Sequence, residues 1–232
     1  MREGRKLIRL KNIRLSVSDK GGDFVVIPHQ LDVEITKEHL EDASLYRTSS
    51  EREFKSRCRK LNHEWVKMAR ASGLKPSVMF QLKVDLPTCS VLYLLIKTHK
   101  LVSSNDLVST DPSLLKVRPI ISCADGPTDR ITWFLNPILN QLLKHIPAHL
   151  TNTQKFLDRL RTAQPSSAYV MESFDAIALY ANVSNDSAMQ AIFELLIKHE
   201  REINMYGFKT EQFVALLKEC LNCTIFRWSG KY

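Results

Sequence analysis

Apolar residues recur at helical spacing in some stretches of the chain and bunch into short runs in others. Between residues 51 and 72, Phe54, Cys58, Leu61, Trp65 and Met68 fall on one face. Arg52, Lys55, Arg59, Lys60 and Lys67 fall on the other, a spacing that predicts an amphipathic helix. Thr48, Ser49, Ser50 and Glu51 supply cap chemistry before it, and Gly73 and Pro76 end it. A second helix is predicted over 129–146 from the wide apolar stripe of Ile131, Phe134, Leu135, Ile138, Leu139, Leu142, Leu143 and Ile146. Pro137 lies inside that stretch and marks a kink or a first turn. Thr151-Asn152-Thr153-Gln154 can cap a further helix running through Leu160, and others are predicted over about 186–199 and 210–221.

The short runs read as strands. Residues 24–28 follow the turn signal Asp19-Lys20-Gly21-Gly22-Asp23. Residues 91–98 are nearly continuously apolar and of strand length. A polar loop over 102–113 leads to a strand at 115–122, where Pro119 implies an edge position or a strand end. A strand over 168–174 ends in Asp175. The chain closes with Thr224-Ile225-Phe226-Arg227-Trp228 and a Ser229-Gly230 turn. There is no internal repeat. Helices and strands are mixed without regular alternation, so the expected class is α+β rather than a doubly wound parallel sheet.

The 232 residues suffice for a sizeable core and one or two domains. With 44% hydrophobic and 25% charged residues the composition is that of a globular chain. Lys and Arg total 33 against 25 acids, a net charge of +8 that suits an anionic partner such as nucleic acid. No apolar run is long enough to span a membrane, and the basic first residues lead into no apolar signal core. Five scattered cysteines fit a reducing compartment. Cys220-x-x-Cys223 has no second pair or nearby histidine to complete a metal site and is read as structural.

Two features could carry chemistry. Asp175, at a strand end and five positions before Tyr180, is placed to meet a divalent cation, although the same residue would also serve to cap a turn. Lys97 and Arg118 belong to two strands joined by a polar loop, a way to build a phosphate-binding hairpin. The same charges would also discourage edge-to-edge aggregation.

Taken in order, these segments resemble reverse transcriptases, most closely those of Penelope-like transposable elements. The resemblance is carried by Asp19-Lys20-Gly21-Gly22, Tyr93-Leu94-Leu95-Ile96-Lys97-Thr98-His99-Lys100, Val117-Arg118-Pro119-Ile120-Ile121, Gly126-Pro127-Thr128 and Ser173-Phe174-Asp175 through Asn182-Val183. It implies an incomplete right-hand polymerase, with a fingers-like region over 1–125 and the start of a palm over 126–232. It implies that Asp175 and the Ala176 carbonyl face Mg²⁺ or Mn²⁺, that Tyr180 is the steric gate against a ribose 2′-OH, and that Lys97 and Arg118 contact the incoming triphosphate. The implied partners are an RNA or DNA template-primer and a deoxynucleoside triphosphate, without a membrane. The implied location is nuclear or cytoplasmic, not secreted. The sequence departs from the family at Ile96 and Ser184, where the family has Pro, and at Ala181. It contains no Asp-Asp pair. The chain is therefore expected to be a fragment of an RNA-directed DNA polymerase that is inactive alone and prone to self-association through unpaired palm strands. The alternatives are a non-catalytic basic nucleic-acid-binding remnant and an unrelated metal-dependent phosphotransferase.

Overall fold

The computed structural model describes residues 10–103, 105–164, 170–176 and 179–232. The basic first nine residues and the first two residues of the strand expected at 168–174 lie outside them. The architecture is α+β with small sheets. The chain divides into two compact units. One comprises Met1–Ser56, Pro87–Gly126 and Ile225–Tyr232; the other comprises Arg57–Leu86 and Pro127–Thr224.

The first unit begins with a hairpin of β1 (Ile13–Val17) and β2 (Phe24–Pro28), paired antiparallel. Its turn needs positive φ at both Gly21 (90°) and Gly22 (74°), a conformation glycine adopts without a Cβ clash. Buried Ser18 ties the turn off. Its N–H donates to the Asp23 carbonyl at 2.8 Å, and its Oγ accepts from the Asp23 N–H at 3.1 Å. Helix α1 (His29–Leu40) follows directly. The central strand β3 (Ser90–Ile96) pairs antiparallel with β4 (Val117–Ile121) and parallel with the short β5 (Phe226–Arg227), in the order β4-β3-β5. Pro119 thus sits on an edge strand, where its missing N–H withholds no interior ladder bond.

The 91–98 run is apolar along its length, yet β3 buries only alternate residues. Leu92, Leu94 and Ile96 face the core, while Val91 and Tyr93 on the opposite face are exposed. Leu94 and Ile96 meet Ile27 of β2 and Leu31 and Ile35 of α1, with Val25, Leu115 and Val117 closing the edges. Each such side chain stabilises the fold by about 1.5–3 kcal/mol when fully removed from water.

Helix α2 (Glu51–Ala71) begins in the first unit and continues in the second. Its predicted apolar face is the buried one, from Phe54 through Cys58, Leu61 and Trp65 to Met68. On the opposite face Lys55 pairs with Glu51, Lys60 with Glu219 and Lys67 with Glu64. The second unit adds α3 (Pro76–Leu82), α4 (Asp129–Leu142), α5 (Thr153–Ala163), α6 (Leu179–Asn182), α7 (Asn185–Lys198) and α8 (Thr210–Asn222). Pro137 lies inside α4, not in its first turn. The core is built on Trp65, whose indole stacks on Phe208 at 6.2 Å and meets Phe134 edge-on at 5.4 Å. Its Nε1–H donates to the Met79 carbonyl at 2.8 Å. Ile131, Leu135 and Ile138 of α4 and Phe213 and Leu216 of α8 are buried with it.

The strand expected up to Asp175 is corrected. Residues 170–176 carry no regular secondary structure and are exposed, with Val170 and Phe174 at 85% and 87%. No described strand lies beside this segment to accept its backbone groups, and a strand without a neighbour leaves them to water.

Candidate functional site

The expected site residues fall into two groups, one in each unit. Lys97 and Arg118 belong to the first unit; Asp175, Ala176 and Tyr180 belong to the second.

In the first unit Lys97 immediately follows β3, and its N–H donates to the Lys116 carbonyl at 2.8 Å, extending the β3–β4 ladder. Arg118 stands opposite Leu95 in that ladder. Because side chains alternate, Leu95, Lys97 and Arg118 lie on the face away from the Leu92–Leu94–Ile96 core. Lys97 and Arg118 are therefore diagonal neighbours across a strand pair. The turn between β1 and β2 reaches the same place. Ser18 bridges to Ile96, and the Asp19 N–H donates to the Ile96 carbonyl at 2.9 Å. The Asp19 carboxylate meets Nε of Arg118 at 3.1 Å and is buried, its side chain 1% exposed, whereas Arg118 is 53% exposed. Neither Asp19 oxygen has a hydrogen bond. The result is an exposed guanidinium and a lysine on one sheet face, backed by a buried carboxylate.

Two departures from the resembled family have local explanations. Ile96 fills a core position, and its carbonyl accepts from the Asp19 N–H. Ser184 caps α7, its Oγ accepting from the Ser187 N–H at 3.3 Å.

In the second unit Asp175 and Ala176 lie exposed on the irregular 170–176 segment. Tyr180 belongs to the short α6, and its side chain lies outside what the structure describes. A hard divalent ion takes about six oxygen ligands or more, and two ions need several carboxylates between them. Among the described residues Asp175 belongs to no cluster of three or more ligand side chains. The residues present do not fit a two-ion centre.

The cluster that does form is His145, His199 and Glu202. His199 Nδ1 meets Glu202 at 2.9 Å, and the two imidazoles stack with centroids 3.7 Å apart at 22°. A zinc ion sits in the plane of each ligating ring at about 2.0–2.1 Å from nitrogen. Two nearly parallel stacked rings cannot both satisfy that, so this arrangement is a hydrogen-bonded pair rather than a metal centre. Burial, then the neighbouring His199, hold the His145 pKa below the ordinary histidine value. The His199 hydrogen bond lowers that of Glu202.

None of the five cysteines forms a disulfide. Burial pushes the Cys220 thiol up to about 12, while a hydrogen bond from Cys58 lowers Cys223. A cleft of about 710 Å³ in the first unit is walled by Tyr46, Phe226, Trp228 and Tyr232 with Lys37 and Lys231. Aromatic faces beside cations suit stacked bases and a phosphate backbone. Sequence reading passed over this cleft, whose aromatics are nearly two hundred positions apart, and read Asp19 as a turn residue.

No family model matches the chain, and neither a curated protein nor a solved structure matches it. No helix among the described residues is long and apolar enough to cross a membrane.

Proposed function

We propose that this chain is the nucleotide- and template-engaging part of a reverse-transcriptase-type nucleotidyltransferase, in which Lys97 and Arg118 receive the triphosphate of an incoming nucleotide. One observation carries the reading. Three segments that bear the resemblance, Asp19-Lys20-Gly21-Gly22, Lys97 and Arg118, are far apart in sequence and meet at one sheet face. Arg offers a planar fork to phosphate oxygens and Lys a compact charge, a pairing suited to a polyphosphate. The aromatic, basic cleft of the same unit supports a nucleic-acid partner. In this reading Asp175 and Ala176 belong to the metal side and Tyr180 to sugar selection, on the strength of the resemblance. One exposed carboxylate does not make a two-ion centre, so Asp175 alone supports no catalytic step.

That same isolation favours a second reading, a non-catalytic nucleic-acid-binding protein. Binding and extension assays separate the two. The purified chain is expected to bind inorganic tripolyphosphate and a primer–template duplex. Lys97→Ala and Arg118→Ala should each weaken tripolyphosphate about tenfold. Unchanged binding in both variants would end the triphosphate assignment. With Mg²⁺, nucleotides and primer–template, the expected result is no templated synthesis. Synthesis abolished by Asp175→Ala would establish the enzyme, and synthesis that survives it would remove Asp175 from the site.

A further inference from the structure

We propose that Asp19 is a positioning residue: it holds the Nε side of Arg118 so that the two terminal nitrogens of the guanidinium face outward as a fork for phosphate. The inference rests on Lys97 and Arg118 being phosphate contacts and adds the group that aims one of them.

Three observations carry it. The Asp19 side chain is 1% exposed, and neither oxygen has a hydrogen bond. A buried carboxylate without hydrogen bonds is costly, so its presence calls for an explanation other than fold stability. Its charged neighbour is Nε of Arg118 at 3.1 Å, and no described residue takes the terminal guanidinium nitrogens. The Asp19 backbone is itself fixed. Its N–H is bonded to the carbonyl just before Lys97, and the paired glycines after Lys20 clamp the turn. Asp19 thus touches the framework of both cations through one rigid segment. The ion pair falls short of hydrogen-bond alignment, as such contacts commonly do before a ligand is bound. Phosphate oxygens on the outer edge would set the guanidinium plane and bring Nε–H into line.

The idea makes a prediction opposite in sign to simple electrostatics. Coulomb's law alone says that removing a carboxylate beside an anion site tightens anion binding. Positioning says that removing the acceptor loosens it. The test titrates inorganic tripolyphosphate into the purified chain by calorimetry at about 0.15 M salt, where distant charges are screened. Asp19→Ala should bind about tenfold more weakly than the wild type. Asp19→Asn keeps an oxygen for Nε–H without the charge and should bind at least as tightly as the wild type. In an Arg118→Ala background, Asp19→Ala should weaken binding no further.

Unchanged or tighter binding by Asp19→Ala, loss of binding in Asp19→Asn, or an equal loss with Arg118 already removed would each overturn the proposal. The Asn variant decides the matter if the Ala variant does not fold. A wild-type chain that ignores tripolyphosphate would overturn the triphosphate reading and this one together. A wild type that binds, with the Asp19 variants failing as described, overturns this one alone.

Discussion

Replacing Trp65 with alanine should destabilise the second unit by about 3–5 kcal/mol, the range for removing a large aromatic side chain from a core. The magnitude follows from what the indole touches. It is 0% exposed, stacked on Phe208 and edge-on to Phe134. Each aromatic pair contributes about 0.5–1.5 kcal/mol beyond the area it buries. The Nε1–H bond to the Met79 carbonyl adds a group that would lose its partner, worth about 1–3 kcal/mol if buried. Trp65→Phe keeps a stacking ring but loses the N–H and part of the buried indole, so it should cost less than Trp65→Ala but at least about 1 kcal/mol. The control is Trp133, which is 72% exposed. Trp133→Ala should stay within about 0.5 kcal/mol of the wild type. Urea unfolding followed by far-UV circular dichroism measures all three, each midpoint converted with the measured slope. Native domains are stable by about 5–15 kcal/mol, so the Trp65→Ala loss is a large fraction of the total. If Trp65→Ala unfolds at the wild-type midpoint, or if Trp133→Ala loses as much, this account of the core is wrong.

Gly207 has φ of +86°, and a Cβ there would lie 2.4 Å from the Ser72 carbonyl oxygen, so Gly207→Ala should cost more than about 1 kcal/mol and lower the melting temperature. Native-state alkylation followed by mass spectrometry should label exposed Cys123 first and leave Cys220 unmodified, its thiol buried and pushed up to about 12; equal rates would contradict the burial. His145 has a folded pKa below its ordinary 6.5, so it contributes stability that is fully present above about pH 6.5 and is lost as pH falls through the lowered value. An NMR titration should find its midpoint depressed, and His199→Ala should raise it.

How far the fold was legible depended on whether burial followed apolar chemistry. Helix α2 was, because its buried residues are apolar at regular helical spacing. Helix α1 was not, because two of its four buried positions are polar. Asp32 pairs with Arg14, and the Thr36 hydroxyl donates to the Asp32 carbonyl at 2.6 Å. A polar residue buried with a partner interrupts the stripe that betrays a helix. Strand β1 was not legible, since it buries none of its five residues fully and so shows no apolar run. The segment before Asp175 looked like a strand from its residue types, but strand formation is decided by a neighbour, which composition cannot supply. The cations at Lys97 and Arg118 were visible as residues on two strands. Their meeting with Asp19 was not, because it depends on a turn more than seventy positions earlier packing against the end of β3.

The way the first unit is assembled bears on how the protein is made. Its central strand pairs with β5, near the C-terminal end of the stretch described, and the Ser49 N–H donates to the Tyr232 carbonyl at 2.9 Å. On the ribosome the residues up to Gly126 emerge with Ser90 and Val91, the start of β3, still without their β5 partners. They must wait while Pro127–Thr224 is synthesised before β5 arrives. At about 5–20 residues per second that wait lasts roughly 5–20 seconds, during which the start of β3 has an unpaired edge. Expression that slows translation through this stretch should therefore raise the aggregated fraction, and chain cut after residue 126 should stay dependent on chaperones.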